Sequence, residues 1–108
     1  MTEPACLYLT TTGRRSGQPR EIEIWFTERD GRYYLVAEHG ERASWVRNLR
    51  TDPRVTVRVD GRVFSASARV VDAATDTVLC DDVRLRSKRK YGWGDGFVIE
   101  LSPGGEGQ

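Results

Sequence analysis

The residues best placed to do chemistry lie in the run Thr10 to Arg20, TTTGRRSGQPR. Thr11, Thr12 and Ser16 bring hydroxyls, Gly13 and Gly17 bring conformational freedom, and Arg14, Arg15 and Arg20 bring guanidiniums. Glycine lets main-chain N–H groups approach an anion, and the planar fork of arginine matches phosphate or carboxylate oxygens. Such a loop can clamp an anion. The same residues would also serve as a solvated turn whose arginines pair with Glu21 or Glu23. The run carries neither GxxxxGK[ST] nor GxGxxG, so it is not a nucleotide loop of either common kind.

A second basic cluster, Arg84, Arg86, Lys88, Arg89 and Lys90, leads into YGWGDG, where Tyr91 and Trp93 stand among glycines. Two readings fit that segment: aromatics that close over a planar ring or an anionic tail, and aromatics that plug the end of the fold. His39 is the single histidine, and Cys6 and Cys80 lie far apart without CxxC spacing. No metal site or disulfide framework can be assembled from these, and each cysteine reads as a buried free thiol. Nor is there a Ser-His-Asp or Cys-His arrangement; His39, between Glu38 and Glu41, suits hydrogen bonding or a proton transfer better than nucleophilic catalysis.

The elements that must position these residues follow from periodicity. CLYLTTT reads as a strand entering a turn at Gly13. In EIEIWFTE, Ile22, Ile24 and Phe26 alternate with Glu21, Glu23, Trp25 and Thr27, the pattern of a half-buried strand. Asp30-Gly31 predicts a hairpin into the apolar run Tyr33 to Ala37. ERASWVRNLR predicts a short helix with Ala43, Val46 and Leu49 on its inner face, ended near Asp52-Pro53. Val55, Val57 and Val59 alternate in the next strand, which turns at Asp60-Gly61 into RVFSASARVV. Asp72 is expected to cap a helix running to about Lys90 with Val78, Leu79 and Val83 inward, and Phe97 to Leu101 form a last strand. Six strands and two helices without βαβ order imply a mainly β fold: an antiparallel sheet curled into a small barrel with helices at its ends.

At 108 residues the chain is expected to be a single domain over residues 1–102 with a flexible tail over 103–108. Apolar and charged residues, 38% and 31%, are interleaved, which excludes a membrane span, and no secretory signal is visible, so a cytoplasmic protein is expected. The net charge of +1, with Glu21, Glu23 and Glu28 beside the basic loop, argues against a nucleic-acid surface on which Trp25, Trp45 or Trp93 would stack.

Taken together, the TTTGRRSGQPR loop, the Ile24-Trp25-Phe26 strand, AEHG, and WVRNL ahead of Asp52-Pro53 resemble the deazaflavin-dependent nitroreductase and quinone reductase family, over roughly Leu7 to Val71. The resemblance implies a split β-barrel of the flavin-reductase type, a homodimer, and an oxidoreductase that uses coenzyme F420 to reduce a quinone, nitroaromatic or activated alkene. It assigns Arg14, Arg15 and Arg20 to the anionic part of the cofactor and places Thr11, Thr12, Gly13, Ser16 and Gly17 among the cofactor-binding residues. Ile24, Trp25, Trp45 and Asn48 fall to the ring pocket, although Trp45 also fits core packing and Asn48 a turn cap. Arg15 stands where many relatives have lysine, and His39 stands where a lysine commonly follows the next strand. His39 is then a cofactor contact, or a proton donor to the reduced acceptor. The alternatives are FMN, or haem with His39 as the available imidazole, and a carrier that binds cofactor without turnover.

Overall fold

The computed structural model describes residues 5–104. Seven strands, not six, form one antiparallel sheet: β1 (Cys6–Thr12), β2 (Pro19–Trp25), β3 (Thr27–Arg29), β4 (Arg32–Ala37), β5 (Arg54–Val59), β6 (Arg62–Val70) and β7 (Phe97–Pro103). The strand order is β2-β1-β5-β6-β7-β4-β3. Helix α1 (Ser44–Thr51) follows a single 3-10 turn at Gly40–Arg42, and α2 (Thr77–Tyr91) lies between β6 and β7.

The extra strand comes from Phe26, which breaks the predicted strand in two. Because β2 and β3 occupy opposite edges of the sheet, the chain crosses from one edge to the other through that one residue and draws the curled sheet into a barrel. Phe26 leaves both ladders, so its backbone needs other partners. Its N–H donates to the Tyr91 hydroxyl at 3.0 Å, and its carbonyl accepts from Tyr91 at 2.7 Å and from the Lys90 ammonium at 2.8 Å.

Leu7, Leu9, Phe26, Leu35, Val46, Leu49, Val57, Ile99 and Leu101 fill the interior, and Ile22 and Ile24 pack against them from the edge strand. A second cluster, Tyr34, Val71, Cys80, Val83 and Val98, lies under α2 on the outer face of the sheet. With both its faces covered, β4 reads as a continuous apolar run rather than an alternating one. Within the second cluster the Tyr34 hydroxyl donates to the Glu100 carboxylate at 2.8 Å and Arg69 Nε donates to it at 2.7 Å. Asp30-Gly31 and Asp60-Gly61 turn the two short hairpins with positive φ at both central positions, as the twist of the flanking strands demands.

Three expectations change. Helix α2 begins at Thr77, because Asp72 organises a turn instead: its carboxylate accepts from the Ala74 N–H and its carbonyl from the N–H groups of Thr75 and Asp76. The inward face of α2 is consequently Cys80, Val83 and Ser87, with Leu79 half-buried against the same cluster as expected, and Val78 points outward at 80% exposure. Strand β7 extends to Pro103, which pairs with Ala66, and Gly104 N–H donates to Ser65, so the expected tail does not begin at 103; the rest of it lies outside the described residues. The glycines around Trp93 also do not confer flexibility. A Cβ on Gly94 would collide with the Arg84 carbonyl and one on Gly96 with that of Ala37, so both are sites of close backbone packing.

Candidate functional site

The loop between β1 and β2 is closed by Gly13 N–H to Gln18 carbonyl and Gly17 N–H to Gly13 carbonyl, each 2.8 Å. Gly17 has φ +73°, and a Cβ on Gly13 would meet Ser16 Oγ at 2.8 Å, so both glycines are needed for the turn itself. The Gln18 N–H is held by Ser16 Oγ and the Arg14 N–H by Asn48 Oδ1. Of the amides from Gly13 to Gln18, only those of Arg15 and Ser16 are left without a described partner. The glycines therefore shape the loop and do not line up N–H groups for an anion.

The three arginines divide by role. Arg14 Nη1 donates to Asn48 Oδ1 at 2.9 Å and to Ser44 Oγ at 3.1 Å, which ties the loop to the start of α1. Arg15 and Arg20 are exposed and make no hydrogen bond or ion pair with any described residue. Pairing with the neighbouring acids does not occur: Glu21 takes Arg58 at 3.3 Å, and Glu23 accepts from the Tyr8 hydroxyl at 3.4 Å. Two free guanidiniums thus face a cleft of about 650 Å³ lined also by Pro19, Ile22, Ser44, Trp45 and Asn48.

A second cleft of about 590 Å³ adjoins it, and Trp45 lines both. Its walls are Ile24 and Trp25 from β2, Val36 and Ala37 from β4, Ala43, Trp45 and Trp93, with Cys6, Glu23, Glu38 and His39 at the polar positions. Trp25 is held flat by a stack on Tyr91, ring centroids 4.5 Å apart and 1° from parallel. The Trp93 carbonyl accepts from Ser87 Oγ at 2.6 Å. His39 is exposed, 3.9 Å from the Glu38 carboxylate. Strand β2 lines both clefts, and from Arg20 to Trp25 it spans about 17 Å at the usual rise of an extended strand.

Of the residues singled out from the sequence, Gly13, Arg14, Arg15, Ser16, Arg20 and Asn48 border the basic cleft, Ile24, Trp25 and His39 border the aromatic one, and Trp45 belongs to both. Thr11 is 1% exposed and its hydroxyl accepts from Asn48 Nδ2 at 3.2 Å, so it is part of the support beneath the loop. Thr12 and Gly17 border hollows shared with Asp52 and Arg54, one of which also takes in Gly13, Arg14, Arg15 and Ser16. Asn48 is buried and spends both ends of its amide on Thr11 and Arg14, so it positions the loop and does not cap a turn.

The basic segment 84–90 reaches neither cleft. Arg84 binds the Gly96 carbonyl, Arg86 pairs with Asp82, Lys88 with Asp95, and Lys90 is held at Phe26. Tyr91 is neither lid nor plug: it is the latch at the barrel crossing and the backing of Trp25. Trp93 does wall the aromatic cleft. The sequence reading missed Cys6 as a cleft residue. It is only half buried, and register puts it opposite Trp25. Burial and then the Glu23 charge push its thiol up, against the weaker pull of Lys90, so it stays protonated at neutral pH and is no nucleophile. Cys80 is buried as expected. No helix among the described residues is long and apolar enough to cross a membrane, and no group of potential metal ligands is found among them.

Two clefts that share Trp45, one cationic and one walled by flat aromatics, on a curled antiparallel sheet narrow the comparison with known proteins. A family model described as F420H(2)-dependent quinone reductase matches residues 1–93. The chain belongs to that family. A relative named F420H(2)-dependent quinone reductase from Mycobacterium tuberculosis is 31% identical over 71 residues, covering 63% of this chain and 48% of that protein. The chain thus spans about half the length of the curated relatives it matches. Among solved structures, an F420-H2 dependent reductase, FDR-A, superposes with TM-score 0.65 at 21% identity over 94% of this chain and 97% of that one. HutZ, the haem storage protein from Vibrio cholerae, superposes with TM-score 0.73 at 21% identity over 92% and 81%. These two likenesses establish the split-barrel fold expected from the sequence.

Proposed function

We propose that this quinone reductase family member binds reduced coenzyme F420 and passes a hydride to a quinone, with nitroaromatics and activated alkenes as further acceptors of the same shape. One observation carries the reading: the two clefts share Trp45, and two guanidiniums without a partner among the described residues border one while three tryptophans border the other. The residues fit the cofactor. Arg15 and Arg20, with the free N–H groups of Arg15 and Ser16, would hold the anionic tail, and Ile24, Trp25 and Trp45 would bracket the flat ring. When bound, the deazaflavin supplies the hydride, so no nucleophilic side chain is required.

This chain's own contribution is geometry. Asn48 and Arg14 fix the loop against α1, and Tyr91 fixes the plane of Trp25. Together the tryptophans exclude water from the face on which an acceptor lies. His39, at the exposed rim, is the group able to give a proton to an acceptor oxygen as it gains charge. A homodimer belongs to the same reading: among the described residues α2 covers β3, β4 and β7, and the exposed residues of β5, Arg54, Thr56 and Arg58, lie outside that cover.

The test is titration of the purified chain with F420, FMN and haem in turn, followed by tryptophan quenching. F420 should bind most tightly. Arg15→Ala with Arg20→Ala should weaken it by about 10- to 100-fold, the worth of one or two charge-assisted hydrogen bonds. Tighter binding of FMN or haem, indifferent to both substitutions, would remove the cofactor assignment. Light scattering separates monomer from dimer in the same samples.

A further inference from the structure

The groove is electrically polarised along its length, and the aromatic end is the acidic one. Arg14, Arg15 and Arg20 border the first cleft together with Glu21, which is paired with Arg58, whereas among the described residues no lysine or arginine borders the second, where Glu23 and Glu38 flank the tryptophans. Both carboxylates are exposed. Among the described residues Glu38 has His39, at 3.9 Å, as its ionic neighbour, and Glu23 accepts a hydrogen bond from the Tyr8 phenol. Among the described residues neither carboxylate forms an ion pair with a lysine or arginine, and Lys90, which also acts on the Cys6 thiol, does so more weakly than Glu23. The field of Glu23 also reaches into the cleft, where it helps to raise the Cys6 thiol.

Resting on the reading of this cleft as the acceptor site, we propose that Glu23 and Glu38 select the charge of the electron acceptor, admitting neutral and cationic planar molecules and holding off anionic ones. The arginines then serve the cofactor alone, and the two carboxylates keep an anionic acceptor from settling where only an uncharged ring belongs. A unit charge about 4 Å from a solvated carboxylate is disfavoured by roughly fivefold, so two carboxylates give a discrimination of about 10- to 25-fold at low salt.

Two probes of nearly equal shape decide the matter: 1,4-naphthoquinone and its 2-sulfonate. Binding is measured without cofactor by tryptophan quenching, in an Arg15→Ala/Arg20→Ala background so that the sulfonate cannot report the basic cleft. Turnover of both quinones is then measured in the F420H2-loaded wild-type chain. The sulfonate should bind about 10-fold or more weakly than the neutral quinone, and Glu23→Gln with Glu38→Gln should bring the ratio to within about twofold, as should roughly 0.5 M salt. Equal binding of the two quinones, a ratio that the glutamine substitutions leave unchanged, or no quenching by the neutral quinone would each overturn the proposal. The cofactor reading fails separately, on a flat F420 titration, and the binding arm keeps its meaning in that event.

Discussion

Asn48 is the joint on which the basic loop depends, and replacing it by alanine should separate support from ligand contact. The side chain is 4% exposed and makes three hydrogen bonds: Oδ1 accepts from the Arg14 N–H at 3.2 Å and from Arg14 Nη1 at 2.9 Å, and Nδ2 donates to Thr11 Oγ1 at 3.2 Å. Thr11 is buried, so losing its partner costs about 1–3 kcal/mol; the Arg14 groups are partly wet and lose about 1 kcal/mol between them. Asn48→Ala should therefore destabilise the fold by about 2–4 kcal/mol, a fall in Tm of roughly 10–20 °C for a domain of this size. Thermal unfolding followed by circular dichroism gives that number. Thr11→Val made with Asn48→Ala should cost less than the two singly, because they share one bond. F420 affinity should fall in Asn48→Ala measured well below its Tm, although the side chain is spent entirely on the protein. A Tm within about 2 °C of the parent would show that the loop stands without α1, and the account of the site as a supported clamp would be wrong.

Tyr91→Phe keeps the ring stack on Trp25 but strips the hydroxyl from the Phe26 backbone, so it should cost about 1–3 kcal/mol in urea unfolding, and Tyr91→Leu more, with a shift in tryptophan emission that Tyr91→Phe lacks. Gly96→Ala should abolish soluble expression or lower stability by more than about 3 kcal/mol, since φ is +152° and the new methyl would sit on the Ala37 carbonyl. Burial alone would raise the Glu100 carboxyl, but hydrogen bonds from Arg69 and Tyr34 outweigh it and hold the group below its ordinary 4.5. Its stabilisation is thus present above about 4.5 and is lost as pH falls through the lowered value; Glu100→Gln should unfold more easily at pH 7 and show a flatter acid limb between pH 5 and 2. An unchanged acid limb would mean that the carboxylate is not paired in solution.

Much of the frame could be read from residue order alone, because its signals are local. Alternation in β2 and β5, the Asp-Gly turns and the WVRNL helix each depend on neighbours within a few positions, and the structure keeps them all. The loop arginines and the tryptophans were likewise visible as residue types suited to anions and flat rings. Sequence could not apportion them. Whether Arg14 meets a ligand or Asn48 depends on a contact 34 positions away, and whether Lys88 is free depends on where Asp95 comes to lie. Cys6 reads as core until the strand register sets it opposite Trp25 at an open edge. Phe26 reads as one more inward strand residue until the sheet order places its two flanking strands at opposite edges. Hydrophobic pattern and turn chemistry act over single elements, and they determined that this chain is a curled antiparallel sheet with a cationic loop. Burial, pairing and shared cavities arise only when distant segments meet, so the tertiary structure alone decided which cations stay free, which aromatic rings face a common cleft, and that Trp45 borders both clefts.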